Sequence, residues 1–266
     1  NELSFSPNAF ATALRGRQCR IIGVVIDDYR MFRQRMHIFH RIAGMASYLG
    51  REGYSLLIIN AVLPDGSVSL SGAISQLDNK TVQGLIFPGN LSSRGESDVI
   101  LSRREIVYTG ESLSEEKGFR VYMGNYDYSL MLYRHLFKNG HRSVLSVFAM
   151  AGKDTLERRM NAYVECASEY GVVPEPGCFL SKDDGLESIV SDIYQSFIGG
   201  SYTAIFVDSL TLGHIIIDYF EEKGLCLLDD YSIVAIERED DIAEPVITTV
   251  ALHDYSYGEE CARLML

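Results

Sequence analysis

The sequence lacks the features that mark membrane, secreted and metal-stabilised proteins. No apolar run approaches the roughly 20 unbroken apolar residues that a membrane-spanning helix needs, and the first residues contain no apolar signal-peptide core. The five cysteines are an odd number and are scattered, with no CxxC pair and no histidine nearby at metal-ligand spacing. We therefore predict a cytoplasmic protein with free thiols, no bound metal and no contact with a membrane.

Sequence motifs of catalytic chemistry are also missing. There is no glycine-rich phosphate loop, no P-loop, no G-x-S-x-G elbow and no H-E-x-x-H motif. His37 and His40 are three residues apart on a predicted helix, but the surrounding RQRMHIFHR is strongly cationic and would repel a metal ion. The acidic clusters are more simply helix caps and solvated loops than paired catalytic carboxylates. The sequence favours binding over catalysis, with no cofactor.

Negative charge outweighs positive charge over the whole chain. The chain has 24 Lys and Arg against 36 Asp and Glu, a net charge of -12, and such a balance repels the phosphates of nucleic acids. A basic stretch nevertheless opens the chain. SPNAFATALRGR, from Ser6 to Arg17, begins as a helix-like run with Ser6 and Pro7 and ends with Arg15 and Arg17, and Arg20 follows three residues later. Any contact with nucleic acid is therefore confined to this N-terminal segment.

Short apolar runs alternate with amphipathic segments along the chain. The runs are RIIGVVID, YSLLIIN, VQGLIFPG, EIVYTG, FRVYMG, SVLSVFAM, TAIFVD and YSIVAIE. Several show no polar alternation, which suits strands buried on both faces of a parallel sheet. Helices are predicted at about 36–52, 126–139, 154–170, 184–198 and 209–223. This order predicts an α/β protein with two similar doubly wound parallel-sheet lobes joined by crossover strands.

Polar and aromatic residues stand where these runs end. Ligands of open parallel sheets bind outside the carboxyl ends of the strands. The residues at those ends are Asp27, Asn60, Phe87 with Asn90, Tyr108 with Thr109, Asn125, Phe148, Asp208 and Glu237. Carboxylates, amides and rings converging on one cleft suit a polyhydroxylated small molecule. A member taken alone is more simply a turn or cap residue, so the prediction depends on the set.

Arg159 lies on the helix predicted from Asp154. The apolar positions Leu156, Met160, Tyr163, Val164 and Ala167 follow helical spacing and define a buried stripe. Arg159 borders that stripe, whereas Arg158 points to the opposite face. A partly buried arginine needs acceptors, which are either ligand oxygens or a carboxylate of its own lobe in a structural salt bridge. The sequence leaves both alternatives open.

Four stretches together resemble the lactose/galactose repressor (LacI/GalR) family of bacterial transcription regulators. They are ELSFSPNAFATALRGRQCRIIGVVI, GNYDYSLMLYRHLFKNGHRSVLSVF, ERRMNAYVECASEYGV, and LLDDYSIVAIE followed by ITTV. The first is the most specific, because periplasmic sugar-binding proteins share the fold but lack its Pro-Asn-Ala helix. The resemblance implies a periplasmic-binding-protein-like fold of type I. It divides the chain into a hinge-helix remnant (1–18), an N-terminal lobe (19–124 plus 247–266) and a C-terminal lobe (125–246).

By this resemblance the basic opening segment is a hinge helix. It would pack into the minor groove of operator DNA, with Leu14 as a wedge between base steps and Pro7 in the first helical turn. The DNA-binding residues would be Pro7, Asn8, Ala9, Leu14 and Arg15. In the family a helix-turn-helix headpiece would precede Asn1, and a last strand would follow Leu266.

The resemblance also implies effector contacts. They fall on Asp27, Asn125, Arg159 and Glu237. At the position of Glu237 the family usually has Asp. Asp208 or Ser209 matches the family's Asn-Asp pair imperfectly, since AIFVDSLTLG is about two residues shorter. The stretch DDYRMFRQRMHIF is longer than the family's loop and lacks its Asn-Pro-Phe-Phe, so no particular effector is implied.

The function predicted from these features is sensing. We expect the effector-binding and dimerisation core of a LacI-type repressor, in which a small metabolite, a sugar, binds between the lobes. The resulting rotation would change the spacing of two hinge helices on operator DNA in a homodimer. The alternative is a sugar-binding protein of a transport system, which predicts an export signal before Asn1 and a monomer. An enzyme on this fold would need a nucleophile or phosphate loop.

Overall fold

The structure is a computed structural model. It describes residues 19–26, 36–88, 103–109, 119–148, 153–174, 178–179, 185–238 and 247–266. The hinge-helix residues Pro7, Asn8, Ala9, Leu14 and Arg15 lie outside these ranges, as do Asp27 and Asn90. Within the ranges described, no helix combines the length and the apolar character needed to cross a membrane.

The described ranges contain ten strands and seven helices. The strands are β1 (Ile21–Ile26), β2 (Ser55–Asn60), β3 (Gly84–Phe87), β4 (Ile106–Thr109), β5 (Phe119–Val121), β6 (Val144–Phe148), β7 (Cys178–Phe179), β8 (Ala204–Val207), β9 (Ser232–Arg238) and β10 (Thr248–Leu252). The helices are α1 (Met36–Arg51), α2 (Ser71–Asp78), α3 (Asn125–Lys138), α4 (Lys153–Glu169), α5 (Leu186–Gly199), α6 (Leu210–Glu222) and α7 (Asp254–Met265).

The chain divides into two compact units. The first unit comprises Asn1–Gly110, Ser114–Val121 and Asp254–Leu266, and the second comprises Glu111–Leu113 and Tyr122–His253. The sequence-based division gave all of 247–266 to the N-terminal lobe. In the structure β10 pairs in parallel with β9 in the second unit, so only the segment from Asp254 onward lies in the first.

The first unit has a five-stranded parallel sheet in the order β2-β1-β3-β4-β5. Strand β1 lies between β2 and β3, and its side chains from Ile22 to Ile26 are buried, as the unbroken apolar run predicted. Helix α7 packs along α1 and is tied to it by Arg41, whose Nε donates to Asp254 Oδ1 at 2.8 Å. Arg41 Nη1 also donates to the Pro88 carbonyl at 2.9 Å, and its guanidinium lies 4.9 Å from the centroid of the Tyr257 ring.

The second unit has a five-stranded parallel sheet in the order β10-β9-β8-β6-β7. Because successive side chains of a strand point to opposite faces, each face has its own apolar cluster. Phe148, Phe206 and Ile236 pack with residues of α3 and α4 on one face. On the other face, Val147, Val207 and other sheet residues pack with α5 and α6.

The α/β class and the parallel sheets confirm the predicted fold class. The eight predicted strands are present, and the five predicted helices agree with the structure to within two residues at each end. Two helices were not predicted from apolar periodicity, α2 and α7, and neither were the two strands β7 and β10. Helix α2 is only eight residues long and β7 only two, so each gives too short a pattern to detect.

Candidate functional site

Three predicted site residues meet in the second unit. Arg159 Nη1 donates to Asp208 Oδ2 at 2.7 Å, and Arg159 Nη2 donates to Asn125 Oδ1 at 3.0 Å. Arg159 is 3% exposed, Asp208 is 7% exposed and Asn125 is 6% exposed. Buried polar groups on three separate elements are therefore held together by charge-assisted hydrogen bonds.

The local structure explains how each member reaches this point. Asp208 directly follows β8, and its N–H donates to the Val147 carbonyl at 3.2 Å, so the ladder positions its side chain at the carboxyl edge of the sheet. Strand alternation turns Asp208 to the same face as Phe206, toward α4, which carries Arg159. Asn125 is the first residue of α3, after Gly124, whose φ of 70° is in the left-handed region that favours glycine.

The arrangement resolves part of the question about Arg159. A salt bridge to a carboxylate of its own lobe is present, which was one of the two alternatives. Arg159 Nε is buried and has no hydrogen-bond partner among the described residues. An unsatisfied buried N–H is costly, so this donor marks a place where a further acceptor oxygen would be stabilised. Contact with a ligand remains a prediction.

Sequence reasoning missed a row of polar side chains beside this cluster. Asn125, Ser129 and Tyr133 follow one another at intervals of four along α3, and all three are buried. The hydroxyl groups of Tyr133 and Ser146 lie 2.8 Å apart and share a hydrogen bond, and burial raises the pKa of Tyr133. Ser129 Oγ has no partner among the residues described. The helical spacing of these residues was the signal that could have revealed the row.

Phe148 and Glu237 belong to the same unit but not to the Arg159 cluster. Phe148 is buried, with its ring centroid 5.7 Å from that of Phe206 in the core. Glu237 alternates with Ile236 and so points to the sheet face opposite Asp208, where its Oε2 accepts from Thr249 Oγ1 at 2.7 Å. A direct role for either in ligand contact stays a prediction.

The strand-end residues of the first unit have local roles. Asn60 is exposed, and its side chain bonds the backbone N–H and carbonyl of Val62, which is the turn role that a single strand-end residue favours. Phe87 is 1% exposed within the apolar cluster of this unit. Tyr108 accepts a hydrogen bond from Arg120, and the neighbouring Thr109 is buried.

Metal binding has no support in the part of the chain that is described. No group of three or more His, Cys, Asp or Glu side chains there is placed to hold a metal ion. The described thiols are free, and burial raises the pKa of Cys166 to about 11 and that of Cys261 to about 12, which keeps both protonated at neutral pH.

The curated proteins that resemble this chain are transcription regulators, although no protein-family model matches it. The transcriptional repressor PurR of Photobacterium profundum is 22% identical over 278 residues, which span 100% of this chain and 79% of the relative. The transcriptional regulator DegA of Bacillus subtilis is 21% identical over 271 residues, which span 98% of this chain and 77% of the relative.

Solved structures of LacI-family regulators share the fold of this chain. A LacI-family regulator from Enterococcus faecium with bound ribose matches with a TM-score of 0.67 and 17% identity, covering 92% of this chain and 88% of its own. A LacI-family regulator from Bifidobacterium animalis matches with a TM-score of 0.74 and 21% identity, covering 94% and 89%. The chain is a homologue of the LacI-family regulators. A third structural neighbour is the regulator CelR in complex with cellobiose, with a TM-score of 0.72, 19% identity and coverage of 96% of this chain and 81% of its own.

Proposed function

We propose that this LacI homologue is the effector-sensing core of a transcriptional repressor and that it binds a small polyhydroxylated metabolite, a sugar, at the carboxyl edge of the second unit's sheet. The observation that carries the proposal is the buried cluster of Arg159, Asp208 and Asn125 at that edge. The relatives support it, since PurR is named a repressor and two structural neighbours hold ribose or cellobiose.

The residues of the cluster have complementary roles toward a sugar. Arg159 donates from Nε and from its remaining Nη protons to hydroxyl or ring oxygens, while the Asp208 carboxylate accepts from hydroxyl groups. The amide of Asn125 holds the guanidinium in place. Asp27, Asn60, Phe87, Phe148 and Glu237 remain predicted effector residues, separate from this cluster.

Regulation follows from thermodynamic linkage. A sugar that binds one conformation of the core more tightly shifts the protein toward that conformation, and affinity for operator DNA changes by the same coupling factor. We propose that this coupling acts in a homodimer through the hinge segment, with Pro7, Asn8, Ala9, Leu14 and Arg15 on the DNA. A transport role is not favoured, because the curated relatives are transcription regulators.

The test is calorimetric binding of sugars to the wild-type protein and to Arg159→Ala. A thermal-shift screen first identifies a ligand, because one present at ~100 times its Kd stabilises the fold by about 2.7 kcal/mol. Arg159→Ala is expected to lose that binding while circular dichroism shows a retained fold. Arg134→Ala on α3 is the control, because the ion pairs of Arg134, with Glu165 and Glu169, are exposed. Unchanged affinity in Arg159→Ala would remove Arg159 from the site.

A further inference from the structure

The positive charge of Arg159 is compensated inside the protein. Its Nη1 lies 2.7 Å from Asp208 Oδ2, and the two side chains are only 4% and 2% exposed, respectively. Solvent screens such a pair far less than it screens a surface pair. Any ligand that reaches Arg159 therefore also meets the Asp208 carboxylate at close range.

This geometry treats neutral and anionic ligands differently. A hydroxyl group can accept from an arginine N–H through its oxygen and donate its own proton to a carboxylate, so an uncharged sugar can bond both residues and leave the ion pair intact. A phosphate or carboxylate group only accepts at neutral pH. It would have to displace Asp208 from Arg159 or lie against a like charge, and like-charge contact in a desolvated site is strongly unfavourable.

We propose that Asp208 determines the charge class of the effector, so that the site takes an uncharged polyhydroxylated ligand and rejects phosphorylated or carboxylated ones. The inference rests on the proposed function, because it assumes that the effector contacts Arg159. It assigns to Asp208 a role in specificity, by neutralising the arginine and repelling anions.

Pairs of a neutral compound and its anionic derivative test this in the wild-type protein. The pairs are ribose with ribose 5-phosphate, glucose with glucose 6-phosphate, glucose with glucuronate, and adenosine with adenosine monophosphate. We expect calorimetry to detect binding of at least one neutral compound. The anionic partner of any neutral compound that binds should have an affinity weaker by about tenfold or more. An anionic compound that binds as tightly as its neutral partner, or more tightly, would overturn the proposal for Asp208 and leave the effector site standing. No binding by any compound of either class would count against the proposed function itself.

A second arm removes the carboxylate. Asp208→Asn leaves Arg159 buried without its counter-ion, so inorganic phosphate should raise the melting temperature of this variant more than that of the wild type at matched ionic strength. The matched control is Asp78→Asn, since Asp78 pairs with Arg103 at 2.8 Å in an exposed position of the first unit. Equal responses to phosphate in the wild type and Asp208→Asn would contradict the inference. If Asp208→Asn does not fold, the wild-type pairs decide the question alone.

Discussion

Gly44 of α1 and Gly258 of α7 each lie against the backbone of the other helix. A Cβ atom on Gly44 would stand 2.0 Å from the carbonyl oxygen of Tyr255, and one on Gly258 would stand 1.9 Å from the carbonyl oxygen of Arg41. Both distances are far inside van der Waals contact, and the atoms concerned are backbone rather than flexible side-chain ends. The close approach of the two helices therefore requires glycine at both positions.

Replacing Gly258 by alanine should separate these helices. We expect Gly258→Ala to lower the free energy of unfolding by about 1–3 kcal/mol or more, because the helix backbone cannot yield as a side chain does. Gly50→Ala on α1 is the control, since no described atom beyond the neighbouring backbone of its own helix lies within 4 Å of its added Cβ, and alanine is the better helix former by up to ~1 kcal/mol. Urea denaturation of both variants decides, and equal stability of the two would contradict the packing described.

The buried ion pair between Arg41 and Asp254 should be important for stability. Asp254 is 0% exposed and Arg41 is 8% exposed, so Asp254→Asn leaves a guanidinium buried without its counter-ion. We expect a loss of about 3–5 kcal/mol in the free energy of unfolding. Glu259→Gln, also on α7, breaks only the exposed pair with Arg51 and should leave the denaturation midpoint close to that of the wild type. A small effect in both variants would show that the buried pair does not hold α7.

Two buried tyrosines should respond in opposite ways to loss of their hydroxyl groups. Tyr133→Phe removes the hydrogen bond to Ser146 and leaves a buried hydroxyl unpaired, so we expect a loss of about 1–2 kcal/mol. Tyr231 Oη is buried with no hydrogen-bond partner among the residues described, so Tyr231→Phe should be neutral or stabilising. Thermal denaturation of the two variants tests the contrast. A Tyr231→Phe variant as unstable as Tyr133→Phe would reveal a partner for Tyr231.

Stability should fall at alkaline pH partly because of Tyr231. Burial raises the pKa of Tyr231 to about 12, above the unfolded value of 10.0. Between these two pKa values the folded protein keeps a proton that the unfolded chain loses. The free energy of unfolding is therefore unaffected by titration of Tyr231 below about pH 10 and falls as the pH rises from 10 toward 12. From pH 8 to pH 11, the free energy of unfolding of Tyr231→Phe should rise by about 1 kcal/mol relative to that of the wild type. Denaturant titrations at both pH values check this, and parallel profiles would contradict it.

The apolar runs and strand ends were sufficient to predict much of the second unit. The run TAIFVD predicted both β8 and the polar residue that ends it. The apolar stripe of α4 identified Arg159 as the arginine that points inward, although Val164, which was assigned to the buried stripe, is 46% exposed. These signals are local, because side-chain periodicity depends only on the residues of one strand or helix. They were also sufficient to predict the helix positions to within about one half-turn.

Partners distant in sequence could not be predicted in the same way. Arg159 is 49 residues from Asp208 and 34 from Asn125, and the sequence left open whether a carboxylate or a ligand would satisfy it. The pairing of β10 with β9 places residues 247–253 in the second unit. Which strand β10 pairs with likewise depends on tertiary structure and not on the residues of β10 itself. The side chain of Asn60 hydrogen-bonds the backbone of Val62 in the turn that follows β2, whereas the sequence had predicted a contact with the ligand.

The sequence by itself determined the α/β class, the order of most strands and helices, and the identity of the polar residues that end the strands, because apolar periodicity fixes which faces must be buried. Only the tertiary structure decided that Arg159 is paired with Asp208 and held by Asn125, and that α7 lies against α1 through Gly44 and Gly258. The reason is physical. Burial of an arginine requires an acceptor, but which acceptor it finds depends on strand register and helix packing between segments far apart in the chain.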